Sequence, residues 1–199
     1  MARVRTPDGR PATIADLEAL PEHLKGEIID GMLYAYPRPR ALHADVEGLL
    51  AHELIGPFRR GRGGPGGWWI LVEPGIEVPG SPEFSPDLAA WRVARMPTLP
   101  AEGPITVVPD WVCEIHSPTT RALDLRVKRP FYARLGVGYL WYIDREAHTL
   151  TVSTLVDGRW MELGVWGEDD HVRAEPFQEI ELALGDWWAE GPLEAPEST

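Results

Sequence analysis

The sequence predicts an α/β fold, a mixed central β-sheet flanked by α-helices, within 199 residues that suit one domain. Three observations predict it. Two near-continuous apolar runs, "PDLAAWR" (86–92) and "PDWVCEIHS" (109–117), have the character of central strands buried on both faces. A helical period of apolar residues fills 40–60. Two Asp-Gly pairs, 30–31 and 157–158, mark hairpins.

The elements follow in order. "TIADLEALP" (13–21) reads as a short helix, with Thr13 as its cap and Asp16 completing a capping box. "GEIIDGMLYAYP" (26–37) reads as two strands around Asp30-Gly31. In 40–60, Leu42, Val46, Leu49, Leu50, Leu54 and Phe58 form one stripe of a helix. "GRGGPGG" (61–67) is a loop, and it lacks the Gly-Lys-Ser/Thr ending of a phosphate-binding loop. "WWILVEPGIEVPG" (68–80) reads as one strand bent at Pro74-Gly75. Residues 120–136 read as a helix flawed at Pro130, 137–144 as a strand, and 148–163 as a hairpin. We divide the chain into a helical lead-in (1–25), the domain proper (26–185) and an acidic tail (186–199).

Composition narrows the function. A net charge of −12 opposes simple nucleic-acid binding but suits a site that collects divalent cations. The lone Cys113 excludes an internal disulfide and a cysteine-rich zinc site, and its apolar setting reads as an inert buried thiol. No stretch approaches the ~20 apolar residues that span a bilayer, and "MARVRTPDGRP" has no apolar leader. The expectation is a cytoplasmic protein with no membrane partner.

Two acids stand out. Asp87 opens one buried strand and Glu114 interrupts the next. An unpaired buried carboxylate is costly. If the strands are neighbours, the two acids meet, and a hard cation such as Mg²⁺ (or Mn²⁺) resolves their repulsion. A lysine is expected beside them to orient water or neutralise a phosphate. The strand position for it, two after Glu114, holds His116 instead. Lys128 is the substitute, four residues after Asp124 on the following helix.

The pattern Pro86-Asp87, then Glu114 27 residues on, "SPTT" (117–120), Asp124, Lys128, Tyr132 and "GVGYLWYID" (136–144) resembles the Uma-two family of endonucleases, of the PD-(D/E)XK superfamily. "GEIIDGMLY" (26–34) and His43 extend the similarity to roughly residues 13–165. The resemblance implies a restriction-endonuclease-like core and a Mg²⁺-dependent phosphodiesterase. It implies Asp87, Glu114 and the Ile115 carbonyl as metal ligands, with Lys128 as the migrated active-site lysine. Two departures stand out. Related sequences resemble E-V-L-S-P where this chain has "EIHSP", and His116 is expected to titrate near neutrality. Pro130 is expected to kink the helix and re-aim Tyr132.

Each candidate has a bland reading beside the functional one. Asp87 could simply begin a strand, and Lys128 could pair with Asp124 on a solvated face. Asp110 reads as a turn residue. Glu27 fits a hairpin rim or the site. His43 and Glu47, four apart, fit a solvated helical face or an extended acidic cluster. Arg59, Arg60 and Arg62 are the nearest thing to a phosphate-contacting arm, although the helix dipole accounts equally well for cations at 59 and 60. The reading is a metal-dependent nucleic-acid phosphodiesterase, with DNA as partner. The alternatives are a silent module that binds a protein, and a hydrolase of small phosphoesters. A homodimer is expected, with the pairs Trp68-Trp69 and Trp187-Trp188 as candidate apolar contacts.

Overall fold

The computed structural model describes residues 2–4, 6 and 9–188; of residues 2–4 it describes the backbone alone. The last eleven residues of the expected acidic tail lie outside the described residues. In chain order the elements are β1 (Ala2–Val4), α1 (Ile14–Glu18), β2 (Leu24–Ile29), β3 (Met32–Pro37) and α2 (Ala41–Leu54). Then come β4 (Trp68–Val72), β5 (Ile76–Val78), β6 (Ser81–Phe84), β7 (Leu88–Arg92) and β8 (Trp111–His116). The rest are α3 (Arg121–Leu123), α4 (Arg129–Leu135), β9 (Tyr139–Asp144), β10 (Thr149–Val156), β11 (Arg159–Gly167), β12 (His171–Val172), β13 (Leu182–Ala183) and α5 (Gly185–Trp188).

The central sheet has six strands in the order β11-β10-β9-β8-β7-β4. It is mixed: β8 and β9 run parallel, and the other neighbours antiparallel. A second, antiparallel sheet has the order β1-β3-β2-β6-β5. The expected bent strand at 68–80 is therefore two strands in two sheets. Pro74-Gly75 carries the chain across, with β4 on the central sheet and β5 on the second.

Alternation along β8 divides the interior. Trp111, Cys113 and Ile115 face a core shared with α2, α5 and Phe177. Val112 faces a second core with Leu123, Phe131 and Tyr132 of the helical run and residues of the second sheet. Burial on both faces is what the apolar runs in β7 and β8 encode.

Local chemistry explains the ends and turns. The Asp16 carboxylate accepts from the Thr13 backbone N–H and hydroxyl, both at 2.8 Å. Asp30 and Gly31 sit at φ 51° and 71°, and Asp157 and Gly158 at 48° and 73°, as tight hairpin turns require. Leu42 departs from its expected stripe: it is 51% exposed, at the first turn of α2, where no sheet covers it. Pro130 does not simply kink its helix. The turn before it, Asp124–Lys128, is wound wider, with the Arg129 N–H reaching Asp124 O. A similar π turn, Ile55–Arg59, contains Pro57. Widened turns absorb a residue that can neither donate nor tolerate the carbonyl of the preceding turn.

The tryptophan pairs are interior, not docking surface. Trp68, Trp187 and Trp188 are buried, and Trp69 is half-buried with Nε1 donating to Met96 O at 2.8 Å. Indole area is more stabilising inside this core than left at the surface. Among the described residues, no helix is long and apolar enough to cross a membrane.

Candidate active site

The register sets the central acids side by side. Leu88 pairs with Cys113 in the antiparallel β7–β8 ladder, so Asp87 and Glu114 are the next opposed positions. The Ile115 N–H donates to Asp87 Oδ2 at 2.7 Å, tying the end of one strand to the other.

Here the sheet opens into a cleft of about 520 Å³. Its floor holds Asp87, Glu114, Asp124 and Lys128. The Pro37–Arg40 link forms one rim and Ser117–Thr120 another, with Arg145 and Glu146 nearby. His43, at the start of α2, and His116, at the end of β8, also line it.

Two groups of charges border this cleft, one through Asp87 and His43 and the other through Glu114 and Lys128. The first surrounds Asp87. His43 Nε2 lies 3.3 Å from Asp87 Oδ1. Glu47, one turn further along α2, contributes to a group with Glu73 and Asp87 whose ligand atoms all lie within 4.8 Å of one another. Glu47 Oε1 is buried without a hydrogen-bond partner. Burial first, then the charges of Asp87 and Glu73, push the Glu47 carboxyl up to about 7. Burial also works against an ionised Asp87, but His43, Lys128 and the Ile115 N–H outweigh it and hold the carboxyl below its usual range. The same ion pair outweighs burial at His43 and raises its pKa.

The second group surrounds Lys128, whose ammonium lies 2.8 Å from Glu27 Oε1, 3.0 Å from Glu114 Oε1 and 3.4 Å from Ser85 O. Its three protons are thereby matched by three acceptors. Tyr132 donates to Glu114 and Tyr36 to Glu27, while the Ser85 N–H reaches Glu27 Oε2 at 3.0 Å. Burial opposes the charge on Lys128, yet Glu114 and Glu27 outweigh it and raise its pKa. Burial, only partly offset by Lys128, raises Glu114. One lysine faces two buried carboxylates, and Glu114 accepts from both Lys128 and Tyr132.

The remaining expected residues fall as follows. Asp124 is buried, and burial pushes it up to about 7. No ion pair joins it to Lys128 among the described residues, so the expected surface pair is replaced by two interior groups. His116 does not titrate near neutrality: burial lowers its pKa to about 4, and its ring lies against Tyr142 at 4.5 Å. Asp110 is a turn residue, accepting from the Arg92 N–H at 2.8 Å. Arg59, Arg60 and Arg62 lie beyond the far end of α2 and do not line the cleft. Sixteen residues of helix separate Arg59 from His43, about 24 Å at 1.5 Å per residue. Besides Lys128, the cations at the cleft are instead Lys25, Arg38, Arg40 and Arg145.

Sequence reasoning missed Glu73. It follows β4 with φ at 44°, and its N–H bonds Asp87 O at 2.8 Å. Its partner Lys25 lies 2.5 Å away. A glutamate before Pro-Gly looks like any turn residue, and the tertiary contact alone brings it to Asp87.

Residues 14–185 match the Uma2 family, described as "Putative restriction endonuclease". The chain belongs to the Uma2 family. A crystal structure from Anabaena variabilis, described as a putative nuclease belonging to DUF820, has a similar fold, with a TM-score of 0.68 at 21% identity. The similarity covers 89% of this chain and 98% of that one. No curated protein matches the chain. Family and fold agree with the architecture expected from the sequence, an α/β core on a mixed sheet.

Proposed function

We propose that this Uma2 protein is a metal-dependent endonuclease that hydrolyses phosphodiester bonds of DNA in the cleft over Asp87. One observation carries the reading: Glu47, Glu73 and Asp87 gather ligand oxygens within 4.8 Å beside an unpartnered, buried Glu47 oxygen. Three carboxylates fit Mg²⁺ or Mn²⁺, with His43 beside Asp87 and Lys25 beside Glu73 at the edge of the group. Family membership and the nuclease description of the similar fold support the reaction class.

In this proposal Asp87 holds the ion, with Glu47 and Glu73 as partners from α2 and the β4–β5 link. Glu114 and the Ile115 carbonyl, ligands expected by resemblance, border the same place. When bound, such an ion lowers the pKa of a coordinated water and polarises the phosphate. The chain's own residues do the rest. The Ile115 N–H fixes the Asp87 carboxylate, and His43 sets its orientation from the other side. Lys128 and Tyr132 hold Glu114 in place. Lys128 is therefore proposed as a positioning residue, because its protons face Glu27, Glu114 and Ser85 rather than open cleft. A homodimer stays part of this reading, and sedentary apolar pairs inside the core are not its contact; sedimentation measures it directly.

The test is cleavage of single- and double-stranded DNA and RNA with Mg²⁺ or Mn²⁺, beside Asp87→Asn. Metal-dependent cutting of DNA that Asp87→Asn abolishes is expected. Equal cutting by both proteins, or none on any nucleic acid, overturns the reading. Turnover of small phosphodiesters alone would redirect it to a small-phosphoester hydrolase.

A further inference from the structure

The mechanism above leaves His116, at the end of β8, without a task. Its side chain is only 6% exposed, and neither ring nitrogen has a hydrogen-bond partner. Asp144 comes no closer than 4.0 Å to Nδ1 and is engaged by Arg121. Buried polar atoms are nearly always paired, and an unpaired one costs about 1–3 kcal/mol. A leucine would avoid that cost. The imidazole lines the cleft beside Tyr142 at 4.5 Å with both nitrogens covered, so a small opening of the rim brings them to a molecule in the cleft.

The surroundings favour an oxyanion. Ser117, Thr119 and Thr120 follow on the same rim, their hydroxyls 3.0 and 2.9 Å apart around Ser117. Arg145 lines the same end of the cleft. The acids there are Asp87, held by His43 and the Ile115 N–H; Glu114, held by Lys128; Asp144, which pairs with Arg121; Asp124, which is driven toward its neutral form; and Glu146 at the rim. A ring N–H, hydroxyls and a guanidinium together suit a phosphate oxygen, not a cation.

We propose that His116 contacts substrate, donating a ring N–H to the phosphate next to the scissile one, so that the His116–Thr120 rim with Arg145 forms a phosphate subsite. The subsite rests on the reading of the cleft as a nucleic-acid site, but its test needs neither metal nor turnover. Thymidine 5′-phosphate and thymidine are titrated in EDTA while the His116 ring ¹⁵N–¹H resonances are followed by NMR. Binding is compared in wild type, His116→Leu and His116→Gln. Thymidine 5′-phosphate should shift the His116 ring saturably and thymidine should not. His116→Leu should weaken nucleotide binding about fivefold to tenfold, the size of one hydrogen bond. His116→Gln, which keeps a donor, should retain most of it. An unmoved ring means that water alone satisfies His116 and overturns the proposal. Equal shifts with thymidine assign the residue to a base and also overturn it. Phosphate-specific shifts in a protein that cuts no nucleic acid would leave the subsite standing and sink the nuclease reading alone. Should His116→Leu fail to fold, the ring shift in wild type and His116→Gln decide.

Discussion

The two halves of β8 open onto interiors of opposite chemistry. Trp111 enters an aromatic cluster in which Phe177 lies 4.6 Å from Phe58, 5.1 Å from Trp68 and Trp111, and 5.7 Å from Trp141. Glu114, three residues on, enters the charged group around Lys128. The aromatic end gains from burial directly. The charged end must match every proton and lone pair to break even, since buried ion pairs recover their desolvation cost only with complete hydrogen bonding. A protein under selection for stability alone has little use for the second arrangement. Its presence beside a cleft points to chemistry.

The contrast is sharpest where each half loses one side chain. Phe177→Ala should cost the most stability, about 3–5 kcal/mol, because four rings lose a common partner. Urea denaturation measures it, and metal-dependent activity per folded molecule should not change. A loss of activity without a loss of stability would merge the two regions. Lys128→Met should cost about 3 kcal/mol, because Glu27 and Glu114 are left facing each other. A surface pair with Asp124 would be worth only about 0.3–0.5 kcal/mol, so a change that small breaks the account of the charged end.

Metal binding separates the halves in the other direction. A native-state ligand at a hundredfold excess over its Kd adds about 2.7 kcal/mol. Mn²⁺ should therefore raise Tm in wild type and hardly at all in Asp87→Asn or Glu47→Gln. An equal rise in all three proteins places the ion elsewhere. Glu114→Gln then shows whether Glu114 shares the ion or only holds Lys128.

In EDTA the charged half should contribute to the pH dependence through Glu47 and Asp124, beside Glu53, which burial likewise raises to about 7 next to Trp187. Glu47 and Asp124 are each raised to about 7, so the native state binds more protons than the unfolded chain above the ordinary carboxylate range. Their stabilising contribution is complete below about pH 4 and fades as pH rises through 7, by at most about 1.4 kcal/mol per unit and group. Thermal melts of wild type and Glu47→Gln between pH 5 and 8 check this; the variant should show the shallower slope. Indistinguishable slopes would remove Glu47 from the buried cluster. The smallest effect belongs to Arg62→Ala, which should alter stability by less than about 0.5 kcal/mol and leave cleavage intact.

Much of the architecture was legible locally. The Asp-Gly hairpins, the capping of α1 and the doubly buried β7 and β8 depend on near neighbours in sequence and on a period of two or 3.6. Asp87 and Glu114 were legible as candidates because ionisable groups in apolar runs are costly anywhere. What they bind to was not legible. Glu73 looks like a turn residue, and Glu47 and His43 sit on a helix whose period alone does not say which face a strand end will meet. Lys128 was expected to reach the acids at the strand end, and it does meet Glu114, but Glu27, from a strand a hundred residues earlier, shares it. The arginines at 59–62 looked like an arm until α2 placed them at its far end. Sequence alone determined the hairpins, the first two helices, the buried strands β7 and β8 and the acids in need of partners, since burial and hydrogen bonding penalise each residue where it stands. Only the tertiary structure decided which charge meets which, because a pair of buried charges acts over a few ångströms and carries no period along the chain.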